Sequence, residues 1–363
     1  MSSKAVSLRD FDWLLLGILL TISVLGVVQI YSTTANTPFA GVYRKQIGWM
    51  ILGLGLMFLL CRMDYRELLN HSPWLYLVIL GLLGVVLVLG SEIAGARRWL
   101  RMGGFSFQVS EIAKLVLILL LARFFSETEY KGISWPDLAK VVVALGIPFL
   151  LIAMQPDLGS ALTLVPVAGV MLFLAGFKLR YFGLMLLAGL LALPVTYHFL
   201  KPYQKARIAT FLNPESDPRN TGYQVLQSKI AVGSGQIWGQ GTAQGPQTQL
   251  RFLPVPHTDF IFAAYAEEHG FVGVLFALFL YFVLLMRMLR TAATAPDMMG
   301  LYLIGGIAGI LVFQILVNVG MVIGYVPVTG IPLPLMSYGG SSVVFTWMAM
   351  GLVNSVRVRR FVN

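Results

Sequence analysis

Cysteine is almost missing from this chain: Cys61 stands alone in 363 residues, which excludes an internal disulfide and a cysteine-built metal cluster. Histidine is nearly as scarce, and His71, His198, His257 and His269 form no HExxH or similar ligand spacing, so a zinc hydrolase is excluded too. A GxSxG nucleophile elbow is absent, and the glycine run Gly233–Gly245 has no Walker lysine after it, which leaves it without the features of a nucleotide loop. Charge is the largest deficit. Asp, Glu, Lys and Arg make up 12% of the chain and hydrophobic residues 57%, whereas a soluble domain has roughly a quarter of its residues charged. With a mean hydropathy of +0.79, this composition belongs to a polytopic membrane protein. The net charge of +10 does not point to nucleic acid, because the basic residues are scattered through short loops and both ends of the chain.

A membrane span takes about 20 mainly apolar residues. By that measure about ten are predicted, at 12–31, 46–62, 74–90, 111–126, 138–155, 159–176, 181–199, 260–286, 300–324 and 339–356. The N-terminal segment shows no cleavage site after its apolar run, so the first span is read as a retained helix. The fold class is therefore all-α: a single membrane domain over 1–363 with a large extracytoplasmic loop. An even number of spans puts both termini on one side. Lys4 and Arg9, Arg62 and Arg66, Arg123 and Lys131, Lys178 and Arg180, Arg287 and Arg290, and Arg357, Arg359 and Arg360 then share a face, which the positive-inside rule makes cytoplasmic.

Two outer segments break this pattern. The loop 91–110 carries Arg97, Arg98 and Arg101 where short loops avoid positive charge, either to hold an anion or to meet the phosphates of membrane lipids. The segment 200–258 is far longer than an ordinary connection and holds Tyr203, Phe211, Tyr223, Trp238 and Phe252, with turn signals at Asn213-Pro214 and Asp217-Pro218. It is expected to form an ordered cap with short helices.

The residues able to do chemistry cluster around 251–270. Pro254 and Pro256 discourage helix before His257, Thr258 and Asp259. With Thr258 as a cap, Asp259 falls in the first helical turn, and spacing alone leaves it either a helix stabiliser or a general base for a sugar hydroxyl. Glu267 and Glu268 lie about two turns deeper. Two acids inside a span need partners, for which Lys114, Arg251 and the arginines of 91–110 are candidates, and a structural role is favoured. Glu111 and Lys114 share a helix face and form either a local pair or, through Lys114, a phosphate site. Asp157 stands in a tight turn where a helix cap is expected. The Pro/Gly-rich stretch 327–340 leading to Ser341 and Ser342 has the character of a re-entrant element, with Gln314 and Asn318 as candidate partners for its backbone.

The chain resembles the SEDS family of cell-wall polymerases over nearly its whole length. The resemblance is carried by Ala96-Arg97-Arg98-Trp99-Leu100, Ser110-Glu111 and Lys114, Gln155-Pro156-Asp157-Leu158-Gly159, Phe211-Leu212-Asn213-Pro214, Gly222-Tyr223-Gln224, His257-Thr258-Asp259-Phe260-Ile261 and Pro327-Val328-Thr329-Gly330-Ile331-Pro332-Leu333-Pro334. The segments 227–235 and 247–250 are similar to the RodA-type elongation branch. Val109 stands where the family usually has proline, Pro246 and Thr248 where it has threonine and serine, and Val255 where glutamate is common.

Membership implies glycosyl transfer on lipid II at the outer face of the cytoplasmic membrane, within the elongation machinery and beside a class B penicillin-binding protein. It implies Asp259 as the base, Arg97, Arg98, Arg101 and Lys114 as candidates for the pyrophosphate, and Glu111, Asp157, His257, Thr258 and Ser341 around the substrate. Glu267 and Glu268 are expected to support the site. No cofactor is required by the motifs. A divalent cation, Mg or Mn, would be compatible with the reaction, and no metal motif is recognisable. The competing readings are a lipid II transporter and a scaffold for the penicillin-binding partner.

Overall fold

The computed structural model describes residues 10–35, 37–93, 96–102, 105–128, 133–199, 202–213 and 221–360, and each predicted span falls on helix. Three helices open the chain: α1 (Trp13–Thr34), α2 (Val42–Arg62) and α3 (Tyr65–Leu89). Asp12 caps α1 through Leu15 N at 3.1 Å and Asp64 caps α3 through Arg66 N at 2.9 Å, each satisfying an amide the first turn leaves open. Among the described residues, the loop that follows is the one departure from helices and their connections. Strands β1 (Ser91–Ile93), β2 (Ala96–Met102) and β3 (Phe105–Phe107) form an antiparallel sheet in that order, with Glu92 opposite Arg97 and Arg101 opposite Ser106. These strands are too short for an alternating pattern to announce them.

Beyond the sheet run α4 (Val109–Thr128) and α5 (Trp135–Met154), the latter opened by a capping box between Ser134 and Asp137. The predicted span 159–176 is divided into α6 (Leu158–Leu162) and α7 (Val165–Leu174), and α8 (Leu179–Phe199) follows. The cap contains α9 (Pro202–Leu212), α10 (Thr221–Ser234) and α11 (Pro246–Gln249); its turn residues Pro214, Asp217 and Pro218 lie outside the described residues. Last come α12 (Ile261–Ala293), α13 (Met298–Val322) and α14 (Gly340–Val358).

Among the described residues, six helices are long and apolar enough to cross a membrane: α1, α2, α3, α5, α12 and α13. α4 falls short on composition because Glu111, Lys114 and Arg123 interrupt it. In the interior, α13 packs against α4, α7 and α12, and α14 lies along α2. Close approach is what drives such packing where lipid already solvates apolar surface, and at Gly53 a Cβ would stand 2.8 Å from the Trp347 ring.

One end of the bundle is tied by ion pairs. Asp12 meets Arg287 and Arg357, each at 2.8 Å, Arg66 meets Asp297 at 2.7 Å, and Arg359 faces Asp64 at 3.6 Å. These join the start of α1, the α2–α3 turn, the α12–α13 region and the end of α14, which are ends the charge pattern places on one face. Lys4, Arg9 and Lys131 lie outside the described residues. The opposite end carries the sheet, the α5–α6 turn, the cap and the 327–339 segment.

Candidate active site

Asp259 stands just outside α12. The helix begins at Ile261 with Phe260 as its N-cap and has no side-chain cap, so Thr258 does not cap it and Asp259 is not a first-turn stabiliser. Residues 251–260 form consecutive turns instead, and their carbonyls are held by the facing segment. Asn318 Nδ2 donates to Asp259 O at 3.1 Å and to Ile331 O at 2.8 Å. The Ser337 hydroxyl donates to Thr258 O at 2.7 Å while accepting from Leu333 N at 2.8 Å, and Tyr338 N donates to His257 O at 2.9 Å. Gln46 completes the clamp, donating to Ser337 O at 3.1 Å and accepting from Gly339 N at 3.3 Å. Irregular backbone at this depth needs such partners. Asn318 is one of the two expected from sequence; Gln314 makes no hydrogen bond among the described residues.

The Asp259 carboxylate lies against Gly330, where a Cβ would be 3.4 Å from Oδ2. Burial pushes its pKa above the ordinary carboxylate range, with Asp157 acting in the same direction. The positive charges of Arg98 and Arg207 and a hydrogen bond from Thr258 pull it down without cancelling the rise. The result is a carboxylate of increased basicity within electrostatic reach of two guanidinium groups. Beside it, the His257 ring sits 5.1 Å from Phe39 and 6.0 Å from Tyr338, and burial lowers its pKa and so favours the neutral imidazole.

Arg98 reaches the site from β2. It meets Asp157 at 3.5 Å with its side chain 31% exposed, and its Nε is buried without a partner. Asp157 has the expected capping role, accepting from Ser160 N at 3.2 Å, and adds others: it accepts from Ser160 Oγ and from Gln108 Nε2, both at 2.8 Å. Gln108 N donates to Ser341 Oγ at 3.0 Å, which brings the start of α14 into the same network. The turn is seated by Gly159, where a Cβ would lie 2.5 Å from Thr329 O. Arg97, on the other face of the strand, is exposed, and the side chain of Arg101 lies outside the described residues.

Sequence reasoning missed four participants, Gln46, Arg207, Gln108 and Ser160. For Arg207 the signal was present: α9 interleaves Lys205 and Arg207 with Ile208 and Phe211 in a loop read from its length, aromatic residues and turn signals.

The family model for the cell cycle proteins FtsW, RodA and SpoVE matches residues 10–361. The chain belongs to this family. It is 40% identical over 354 residues to the peptidoglycan glycosyltransferase MrdB of Escherichia coli K12, covering 96% of this chain and 94% of that protein. Its fold matches that of the rod shape determining protein RodA of Thermus thermophilus with a TM-score of 0.74 at 33% identity, covering 97% of this chain and 98% of that one. A chain from the structure of a peptidoglycan synthase complex that coordinates polymerization and crosslinking matches with a TM-score of 0.83 at 36% identity, covering 97% of this chain and 99% of that one. The protein is thus a multi-pass membrane protein of the SEDS family, of RodA type.

In this family member Lys114 takes the local pairing. Its Nζ lies 2.8 Å from Glu111 Oε1 and 4.6 Å above the Phe345 ring, and both side chains are buried, that of Lys114 to 1% exposure. Neither group reaches the surface around Arg98, so in this conformation the pair binds α4 to α14 and presents nothing to a phosphate. Four positions expected around the substrate, Asp157, His257, Thr258 and Ser341, do gather at the Asp259 end.

Among the described residues, Glu267 and Glu268 find no cationic partner. Glu267 accepts from Gln247 N at 2.7 Å, Thr248 N at 3.1 Å and Thr248 Oγ1 at 2.6 Å, the N-terminal amides of α11, where the helix dipole favours an anion. Glu268 accepts from Ser32 Oγ and, at 3.2 Å, from Gln29 Nε2, both on α1. Backbone bonds fasten the glycine-rich run alongside: Gln240 N to Glu267 O at 2.9 Å, Gly241 N to Glu268 O at 3.0 Å and Phe271 N to Gln236 O at 2.9 Å. These glycines admit the chain's own backbone instead of a ligand. The exchange is possible because α12 breaks at Gly270, whose φ of 63° and ψ of −166° are open only to glycine. The acids therefore anchor the cap over the loop that carries Asp259.

Among the described residues, no three His, Cys, Asp or Glu side chains gather where Mg or Mn would be held. Asp157, the carboxylate closest in effect to Asp259, is already engaged by Arg98, Gln108 and Ser160, so the residues present do not fit a metal cage.

Proposed function

We propose that this protein is the peptidoglycan glycosyltransferase that polymerises lipid II into glycan strands during cell elongation. Asp259 accepts the proton of the acceptor GlcNAc 4-hydroxyl. The freed oxygen attacks C1 of the donor MurNAc with inversion, and undecaprenyl pyrophosphate departs with the bonding electrons. Arg98 and Arg207 stand where the negative charge of the leaving group gathers, and preorganised cations lower the barrier because they need no reorganisation as that charge forms. Asp157 and Gln108 hold Arg98 in place, and neutral His257 orients the loop. Arg97 and Arg101 widen the positive field of the sheet. Lys114 and Glu111 act through the bundle.

The observation that supports this reading is a carboxylate of raised basicity, off the helix and clamped by its backbone, within electrostatic reach of two arginines. The topology follows: both termini and the ion-paired end of the bundle are cytoplasmic, and the Asp259 end opens on the extracytoplasmic side. The likeness to a chain of a peptidoglycan synthase complex supports a class B penicillin-binding protein as partner. The test is synthesis of glycan from lipid II by the purified protein, alone and with that partner. Polymer from native protein and none from Asp259→Asn is the expected result. Transbilayer movement of lipid II without polymer would favour the transporter reading instead.

A further inference from the structure

A second recess lies at the same end of the molecule, outside the machinery assigned above. Between the last turn of α1 and the first turn of α2, Tyr31, Thr34, Gly41, Tyr43 and Arg44 line a cavity of about 340 Å3. That is the small end of the roughly 300–1,000 Å3 range of ligand pockets, room for one ring-sized group and its substituent. Tyr31 and Tyr43 meet edge to face at 5.3 Å, so the cavity has two aromatic walls in different orientations. Arg44 is held by both components of Tyr43: its guanidinium carbon lies 5.7 Å from the ring centroid, and its Nε donates to the hydroxyl at 3.2 Å. Among the described residues that hydroxyl is the one hydrogen-bond partner of the guanidinium, the Arg44 amide being taken by Gly41 O at 3.0 Å. Both terminal amino groups are therefore available as the planar fork that takes a carboxylate in two parallel bonds.

The recess adjoins the Asp259 loop. Phe39, from the connection that closes it, packs on His257 at 5.1 Å. Its far wall is fixed to the cap, since Gln249 Nε2 donates to Ser32 O at 3.2 Å and Ala243 N to Ser32 Oγ at 3.1 Å. Its near wall is fixed to the turn before α14 through Gln46. A pocket with two aromatic walls, tyrosine hydroxyls and one guanidinium oriented by Tyr43 suits a pyranose with a carboxylate-bearing substituent. A bare phosphate draws several cations or a row of backbone amides, and neither lines this cavity.

We propose that the Tyr31–Arg44 recess is a saccharide subsite, which grips an N-acetylated sugar of the substrate or growing strand through the tyrosine rings while Arg44 pairs with a carboxylate on its peptide substituent. The subsite rests on the glycan-polymerising reading and adds to it a hold on the strand beyond the reacting pair. Held there, the strand stays on the enzyme between additions, which links the recess to product length.

The experiment titrates a lipid-free disaccharide–pentapeptide of peptidoglycan into the purified full-length protein by calorimetry. Native protein and Asp259→Asn are expected to bind equally. Arg44→Gln and Tyr31→Ala are expected to bind about tenfold more weakly, the loss of one charge-assisted bond or one stacking wall, with unchanged melting temperatures. Tyr43→Phe keeps the ring and removes only the hydroxyl that orients Arg44, and it should fall between. With lipid II, Arg44→Gln should yield shorter strands. Equal affinity across native, Arg44→Gln and Tyr31→Ala would overturn the proposal, as would full displacement of the probe by inorganic pyrophosphate. Arg44-dependent binding in a protein that makes no glycan would support the subsite and remove the polymerase reading.

Discussion

Replacing Glu267 by alanine deletes the acceptor of three hydrogen bonds at a position with no exposure to solvent. Bonds to a charged acceptor contribute about 1.5–3 kcal/mol each, and a buried donor left without a partner costs about 1–3 kcal/mol. The Thr248 amide and hydroxyl are such donors. These contributions overlap, so a loss of about 3–5 kcal/mol of stability is expected, toward the severe end for a single substitution. For a chain of this size that lowers the melting temperature by roughly 4–7 °C. Glu267→Gln keeps the shape but turns an amide donor toward amide donors, and it should lose about half as much. Gly245→Ala probes the same contact from the other side, because its Cβ would stand 2.6 Å from the Glu267 carboxyl carbon. The assay is thermal unfolding of purified protein in detergent, followed by glycan synthesis at a temperature where each variant is folded. Loss of synthesis by Glu267→Gln with an unchanged melting temperature would refute the anchoring role and give Glu267 a part in the chemistry.

Lys114→Met should cost about 3–5 kcal/mol by leaving the Glu111 carboxylate buried and unpaired, and Glu111→Leu with Lys114→Met together should recover most of it; melting temperatures of single and double variants decide this. Asn318→Ala releases both Asp259 O and Ile331 O, and should cut glycan synthesis at least tenfold, since displacement of a reacting group by about 1 Å is worth about a hundredfold. Arg207→Gln should lower turnover about 100-fold. Because Arg207 pulls the Asp259 pKa down, its removal should also move the acid limb of the pH–rate profile upward; Arg98→Gln should move it the same way.

Much of this architecture was legible because a span is a long signal. Roughly twenty apolar residues are hard to mistake, and the pairs of Asp12, Asp64 and Asp297 bring Arg66, Arg287, Arg357 and Arg359 together at one end of the bundle. Short elements were not legible: the sheet at 91–107 and the division of α6 from α7 depend on pairing and packing across the chain. At the site, the residue types of 257–259 marked the place, but spacing suggested a helix cap that the turn geometry excludes. Glu267 and Glu268 show why partner prediction is harder than burial prediction. Buried carboxylates drew attention to cations, whereas backbone amides and hydroxyls, which no sequence motif advertises, satisfy them. Lys114 went the other way for a local reason: a partner three residues away on the same helix face leaves it nothing to offer a distant phosphate.

The central claim is that Asp259 is the base. Its raised pKa means that native activity should fall as pH drops through a value above the ordinary carboxylate range, because protonation removes the acceptor for the hydroxyl proton. Folded-state protonation of this group also favours the fold at low pH, so the loss there is chemical and not unfolding at this site. The measurement is glycan synthesis from lipid II against pH, for native protein and Asp259→Asn side by side with their melting temperatures. The expected result is an acid limb in the native profile and no polymer from Asp259→Asn at any pH, with its melting temperature equal or higher. Equal polymer from both proteins across the profile would contradict the account.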